Sequence, residues 1–251
     1  MKGHAMWKGN LISCGTNAKT IKGDGDELLT AIMYLIPWKS FGANLCPSAE
    51  LAACHGPCLN TSGRGQMTSV QAGRARKTEW FARDRAGFMA QLVIDVTRFV
   101  KYCHAKGSSS HTTIKPCIRL NGTSDTRWEL IPVVDAQGNT HKNIMEAFPM
   151  VQFYDYTKIV NRRNVPDNYH LTWSYSGANP KYSDMMDTAV SNGMNVAVVF
   201  RTKGSIPASF KGLPTVDGDK NDLRFQDDKG VAVALYAKGK AKYDTSGFVQ
   251  G

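Results

Sequence analysis

The hydrophobic positions after residue 110 fall in short runs, separated by polar and glycine-containing segments. Four of these runs are rich in β-branched and aromatic residues, which is typical of buried strands. They are KPCIRLNG (115–122), MVQFYDYTK (150–158), YHLTWSYS (169–176) and MNVAVVFRT (194–202). An earlier run, AIMYLIPWK (31–39), and a later one, VAVALYAK (231–238), are further strand candidates.

Longer stretches between these runs have the period of amphipathic helices. From residue 70 to 104, apolar side chains recur at steps of three, four or seven and arginines occupy other positions, which predicts one long helix. A short helix is predicted near 143–148, before Pro149. The segment YSDMMDTAVSNG predicts another, with Ser183 as its N-cap and Gly193 as its C-cap.

Strands that alternate with helices predict a mostly parallel sheet. The expected fold is therefore an α/β domain whose sheet forms a partial or complete (β/α) barrel. We expect a single domain over residues 1–251, with a barrel-like core at 10–205 and a C-terminal extension at 206–251. In such folds the functional residues lie at the carboxyl ends of the strands.

Composition and charge add expectations about the partner and the location. The 251 residues are 42% hydrophobic, and Lys and Arg exceed Asp and Glu by 31 − 21 = 10. This excess favours a nucleic-acid partner, DNA above RNA. No apolar run has the length of a membrane span, and the polar N-terminus lacks a signal-peptide core, so we expect a cytoplasmic protein with no membrane partner.

The segment CPSAELAACHGPCLNTSGRG (46–65) carries Cys46, Cys54 and Cys58 in one glycine-punctuated loop. In a cytoplasmic chain such cysteines are expected to be thiols or metal ligands rather than disulfides. Three thiolates suit a zinc ion with a fourth ligand, or a four-iron cluster with one open iron. Unrelated packed thiols, a redox thiol and a disulfide are the alternatives. Arg64, in the tail of the loop, is a candidate anion contact.

Two strand ends carry candidate catalytic side chains. Asp125 and Glu129 follow the run 115–122, where carboxylates can hold an amine, a base edge or a metal, or act as a general base; a helix cap is the alternative. In FYDYTK (153–158), alternation puts Asp155 on one face and Lys158 on the other, at the strand tip. Further candidates are Asn121, Gly122, Ser174 and Ser176 for a cofactor, and Arg162, Arg163 and Lys203 for nucleic-acid phosphates.

Four segments in this order, LCPSAELAACHGPC, IRLNGTSDTRWE, FPMVQFYDYTK and YHLTWSYSG, resemble a phage-encoded family, the gene-product-eighty-eight-like proteins. The resemblance implies a phage origin, and hence the cytoplasm of an infected host cell, but no particular activity. More distantly, the order of parts resembles the partial barrel of radical S-adenosylmethionine enzymes. That likeness implies a four-iron cluster on the three loop cysteines and S-adenosylmethionine near NGTSD (121–125).

The functional hypothesis is a phage-encoded enzyme that modifies a nucleic acid or nucleotide, with a metal or iron–sulfur cluster on the loop cysteines. Asp125, Glu129, Asp155 and Lys158 would line its pocket. A likeness to base-exchanging transglycosylase barrels implies an alternative in which Asp125 recognises the base and Asp155 is the nucleophile. The non-catalytic alternatives are a nucleic-acid-binding protein with a structural zinc, and a host-takeover protein that binds a host partner.

Overall fold

A computed structural model describes residues 10–15 and 27–251 of the chain. The strands in these ranges are β1 (Ile12–Cys14), β2 (Leu28–Met33), β3 (Lys39–Ser40), β4 (Ala43–Asn44), β5 (Lys115–Arg119), β6 (Val133–Val134), β7 (Thr140–His141), β8 (Gln152–Thr157), β9 (Tyr169–Ser174), β10 (Asn195–Phe200), β11 (Ser209–Phe210), β12 (Leu213–Asp217) and β13 (Ala232–Tyr236). The helices are α1 (Thr68–Arg83), α2 (Arg85–Ser110), α3 (Ile144–Ala147), α4 (Pro180–Ser183) and α5 (Met186–Ser191).

Within these ranges, a nine-stranded sheet in the order β1-β2-β5-β8-β9-β10-β13-β12-β11 forms the centre of the fold. Its seven inner strands pair in parallel, and β1 and β11 pair antiparallel at the two ends. This confirms the predicted α/β fold with a mostly parallel sheet. The predicted strand runs supply β2, β5, β8, β9, β10 and β13. The residues predicted as a C-terminal extension supply three strands of this same sheet.

The prediction of one helix over 70–104 is wrong, because the backbone breaks at Asp84 between α1 and α2. Asp84 has φ −139° and ψ 77°, outside the helical region, and its carboxylate accepts a 2.9 Å hydrogen bond from the Gly87 amide. A side chain on Gly87 would collide with that carboxylate. The apolar period continues across the break. Asp84 nevertheless caps the start of α2 in a non-helical conformation, and α1 therefore ends at Arg83.

The alternation of strands and helices is also incomplete. Residues 158–168 connect the parallel strands β8 and β9 without a helix, and Asn164 in this connection has a left-handed backbone (φ 56°). Between β5 and β8, the β6–β7 hairpin and the single turn of α3 replace a full crossover helix.

Apolar side chains cover both faces of the sheet, as a parallel sheet requires. The larger cluster includes Phe81, Phe88, Trp128 and Trp173, all buried. On the other face, Leu223 and Phe225 pack against Cys117 and Tyr154, with the Tyr154 and Phe225 rings 5.3 Å apart. None of the helices in the described ranges combines the length and the apolar composition that a membrane crossing needs.

Candidate functional site

The three-cysteine loop lies against the loop that follows β5. The Asp125 amide donates to the Leu45 carbonyl at 2.7 Å, and the Thr123 hydroxyl donates to the Leu35 carbonyl at 2.5 Å. The Cys46 sulfur stands 4.0 Å from the Thr123 carbonyl oxygen. Because both loops follow parallel strands, these bonds hold the thiols at the carboxyl-end edge of the sheet.

The three thiols interact with one another and with two side chains from later strands. Lys158 lies within electrostatic reach of all three thiols and of Asp125, and Asp125 also lies within reach of Cys46 and Cys54. These five residues come from a loop after β2, a loop after β5 and the tip of β8. We call Cys46, Cys54, Cys58, Asp125 and Lys158 the thiol rim.

Burial keeps the three thiols protonated at neutral pH. It raises the pKa of the Cys46 thiol to about 12, and Asp125 and the other two thiols add to the rise. Burial likewise raises the pKa of Cys54 and Cys58, although the positive charge of Lys158 acts against the rise at both. A thiolate would therefore form here only with a metal or another strong stabilising partner.

The donor atoms of the thiol rim fit a soft metal by their chemistry, because thiolates prefer zinc and iron–sulfur clusters. Within residues 10–15 and 27–251, however, no group of three or more His, Cys, Asp or Glu side chains is arranged to hold a metal ion. Cys58 is instead engaged locally, since its sulfur accepts from the Asn60 amide at 3.5 Å. Side-chain rotation in the loop would have to accompany metal binding.

Lys158 is held at the tip of β8 by the end of β9. Its ammonium donates to the carbonyl and to the hydroxyl of Ser174, both at 3.0 Å, and lies 4.7 Å from the centre of the Phe248 ring. Tyr182 donates to the same Ser174 carbonyl at 2.6 Å. Burial lowers the pKa of Lys158, whereas negative charge on Asp125 or on a thiolate would raise it. The result is a positioned amino group beside three neutral thiols.

Asp125 joins the β5 loop to the tip of β8. Its two carboxylate oxygens accept from the Thr157 hydroxyl at 2.8 Å and from the Lys158 amide at 2.7 Å. Burial raises the pKa of Asp125, and the Lys158 amide is the strongest influence that lowers it. The alternative of a helix cap is wrong for this residue, because the next helical turn starts at Trp128 with Arg127 before it.

Glu129 and Arg162 form a buried pair beside the thiol rim. The guanidinium meets the carboxylate through two nitrogens, one of them at 3.0 Å, and both side chains are almost fully buried. Arg162, predicted as a phosphate contact, therefore points into the protein, and the Glu129 carboxylate is already engaged. The other predicted phosphate contacts, Arg64, Arg163 and Lys203, are exposed.

Asp155 lies two residues before the tip of β8, deeper in the fold than the thiol rim. It is buried, with 1% of its surface exposed. It accepts from the Asn121 amide and from the Tyr169 hydroxyl, both at 2.9 Å, with the Arg119 guanidinium 4.0 Å away. Burial raises its pKa to about 7 despite this nearby cation. The Asn121 side-chain oxygen in turn accepts a hydrogen bond from the Trp128 indole nitrogen. Asp155 and Asn121 together therefore hold the loop after β5 in place.

The other residues predicted to bind a cofactor also connect loops. A side chain on Gly122 would stand 2.6 Å from the Met33 carbonyl oxygen, so the ends of β2 and β5 approach here only because the residue is glycine. Ser176 donates to the Ala52 carbonyl at 2.8 Å, which ties the three-cysteine loop to the end of β9. Together with Ser174, they hold the thiol rim in shape.

Two contributors to the site were missed from the sequence. Phe248 belongs to a small cluster with Ala237, Ala241 and Val249, and Cys54 packs against this cluster. Arg74 on α1 donates to the carbonyl and the side chain of Asn60, at 3.0 and 2.6 Å, just after Cys58. Only the position of Arg74, in the helix that directly follows the loop, could have indicated its role.

Comparison with known proteins identifies the family but no individual relative. No curated protein and no solved structure is significantly similar to the chain. The family model described as Gene product 88 matches residues 11–251, which confirms the resemblance inferred from the four sequence segments. Since this match spans nearly all of the sequence, the chain belongs to the Gene product 88 family.

Proposed function

We propose that this chain is a phage-encoded enzyme that modifies a nucleic acid or a nucleotide at the thiol rim. The observation that carries the proposal is the meeting of three thiols, a cation and a carboxylate from three separate connections at one edge of the sheet. That edge is where open α/β sheets and barrels bind their substrates. The net charge of +10 supports a polyanionic substrate.

The proposal assigns Cys46, Cys54 and Cys58 to a zinc ion or an iron–sulfur cluster. Either group would leave one coordination position for a substrate or cofactor, and would supply Lewis-acid or electron-transfer chemistry there. S-adenosylmethionine near residues 121–125 is the cofactor that the cluster version implies. A sheet curled into a partial barrel is the corresponding architecture.

Lys158 is the residue best suited to act on a substrate. The Lys158 side chain is half-buried and its ammonium is already oriented by Ser174, so it would hold an anionic group of the substrate beside the thiols. Asp125 would act as a positioning residue, because both of its oxygens accept hydrogen bonds from the β8 tip. Glu129 would keep Arg162 in place, and Asp155 would support the β5 loop.

A non-catalytic nucleic-acid-binding protein with a structural zinc is the second candidate. The burial of the thiols, and the packing of Cys54 on the cluster around Phe248, favour this version. A base-exchanging enzyme has less support, since Asp155 would have to leave its bonds with Asn121 and Tyr169 to act as a nucleophile.

Anaerobic purification followed by metal and sulfide analysis and an absorption spectrum tests the metal. We expect one zinc or one cluster per chain in the wild type and in Cys103→Ala, a buried cysteine on α2, but loss of the metal in Cys46→Ser and Cys58→Ser. Wild-type protein that folds without bound metal under these conditions would refute the metal assignment.

Lys158→Met separates the enzyme from the structural-zinc protein. The enzyme version predicts unchanged metal content and loss of modification when nucleic acid is incubated with the protein and analysed as nucleosides by mass spectrometry. The structural version predicts no modification by either protein and unchanged nucleic-acid affinity in the variant.

A further inference from the structure

A groove of about 700 Å³ opens next to the three-cysteine loop. One wall is the tail of that loop, and the other is the turn at 239–243, which packs on it. The residues that line the groove are Thr61, Gly63, Gly65, Gln66, Gln71, Gly239, Lys240, Lys242 and Tyr243. We call it the glycine–lysine groove. Its first wall begins three positions after Cys58, so the groove and the thiol rim share the same loop.

The lining has the chemistry of a nucleic-acid surface. It carries two exposed lysines, Lys240 and Lys242, and no carboxylate, and the exposed Arg64 lies within the same stretch of loop. Tyr243 is 85% exposed, so its ring presents a free aromatic face to a ligand. Gly63, Gly65 and Gly239 supply backbone without side chains, which lets a ligand backbone approach closely.

Hydrogen bonds hold each wall in place, and the walls meet where Gly239 approaches Ser62. Gln71 donates to the Asn60 carbonyl at 2.8 Å, and Arg201 donates to the Lys242 carbonyl at 3.1 Å. Gly239 has a left-handed backbone (φ 56°), and a side chain there would collide with Ser62. The groove is therefore formed before any ligand binds, which lowers the entropic cost of binding.

We infer that the glycine–lysine groove binds a single-stranded nucleic acid, with a base stacked on Tyr243 and phosphates on Lys240 and Lys242. This inference deepens the proposed function and rests on its nucleic-acid partner. A single strand fits better than a duplex, because its bases are free to stack on an exposed ring. A strand bound here would lie along the tail of the loop that carries the three thiols.

Fluorescence anisotropy with labelled oligonucleotides of about 12 nucleotides tests the groove. We expect tighter binding to oligothymidylate or oligouridylate than to a duplex of the same length, and these two arms distinguish DNA from RNA. Tyr243→Ala should weaken single-strand binding by about 5-fold or more, whereas Tyr243→Phe, which keeps the ring, should bind within about 2-fold of wild type.

The lysines are tested by the salt dependence of the same binding. In the double variant Lys240→Ala/Lys242→Ala, the slope of log K against log salt should fall by about 1.4, the value for two phosphate contacts on a single strand. The matched controls are Tyr102→Ala and the double variant Lys101→Ala/Lys106→Ala, which change exposed residues of α2. Both should bind like wild type.

Equal losses in the groove variants and their α2 controls would overturn the inference, and so would equal affinity for duplex and single strand. Wild-type protein that binds no oligonucleotide would overturn it as well. Metal content and nucleoside modification, measured on the same preparations, report on the thiol rim separately. A groove variant that binds weakly but keeps its metal supports the groove without any assumption about catalysis.

Discussion

Asp155 gives the sharpest test of the electrostatics beneath the thiol rim, because burial is opposed there by nearby cations and by the hydrogen bonds from Asn121 and Tyr169. Burial favours the neutral acid, and the Arg119 guanidinium 4.0 Å away favours the carboxylate. Burial prevails, since the pKa rises from 3.8 to about 7. Each pKa unit corresponds to about 1.4 kcal/mol, so full ionisation costs the folded state about 4 kcal/mol relative to the unfolded chain.

The sign of the pH dependence follows from the raised pKa. The folded protein holds this proton more tightly than the unfolded chain, so stability from Asp155 is fully present below pH 3.8. It is lost as the pH rises from there to about 7. Asp155→Asn is neutral throughout. The free energy of unfolding of the variant, relative to that of the wild type, should therefore rise by about 4 kcal/mol over this pH interval. The changed hydrogen bonds add a cost that does not depend on pH.

Urea unfolding at several pH values from 4 to 8, followed by tryptophan fluorescence, measures this difference. Asp184→Asn, at an exposed position on the surface, is the control and should show no comparable trend. A difference between wild type and Asp155→Asn that stays constant with pH would refute the reasoning. A wild type whose free energy of unfolding rises relative to that of the variant as the pH rises would mean that Arg119 outweighs burial.

Three further predictions concern the neighbouring residues. Glu129→Gln should reduce the free energy of unfolding by about 3–5 kcal/mol in urea, because it removes the nearest counter-charge of the buried Arg162 and leaves only Asp125, 3.8 Å away. Iodoacetamide should label Cys46 of the folded, metal-free protein at least about 100-fold more slowly at pH 7 than in the urea-unfolded chain, because burial raises its pKa. Gly122→Ala should cost about 1–3 kcal/mol in the same unfolding assay, because its new methyl group would press on the Met33 carbonyl.

The two substitutions have matched controls in the same protein. Glu146→Gln removes an exposed partner of Lys142, 3.7 Å away, and should change stability little. Gly56→Ala places a methyl group where no atom lies within 4 Å, and should also be tolerated. Labelling of Cys46 that is equally fast in the folded and unfolded chain would contradict the buried thiol.

The central strands were predictable because their runs of β-branched and aromatic residues report burial on both faces of a sheet. The break at Asp84 was not, since α1 and α2 share one apolar period and the break depends on a side chain that caps α2. The short β11 and β12 were missed because two to five half-buried residues carry little pattern.

For the candidate site, the rule that parallel strands end at one edge was enough to bring the loop cysteines together with Asp125 and Lys158. It could not tell which way a charged side chain points. Arg162 looks like a surface cation in the sequence, and its partner Glu129 lies a long way back along the chain. The role of Phe248 depends on a contact with Lys158 across even more of the sequence, which no local pattern reports.

The packing of Phe248 on Lys158 and of Cys54 on the same small cluster has a consequence for biosynthesis. A polypeptide leaving the ribosome would release its thiols, the β5 loop and the β8 tip long before residues 237–249 emerge. Until then, those sulfur atoms would lack one side of their enclosure. Under the proposed metal assignment, a metal would have its easiest access in this interval of translation, and the finished protein would then exchange it slowly.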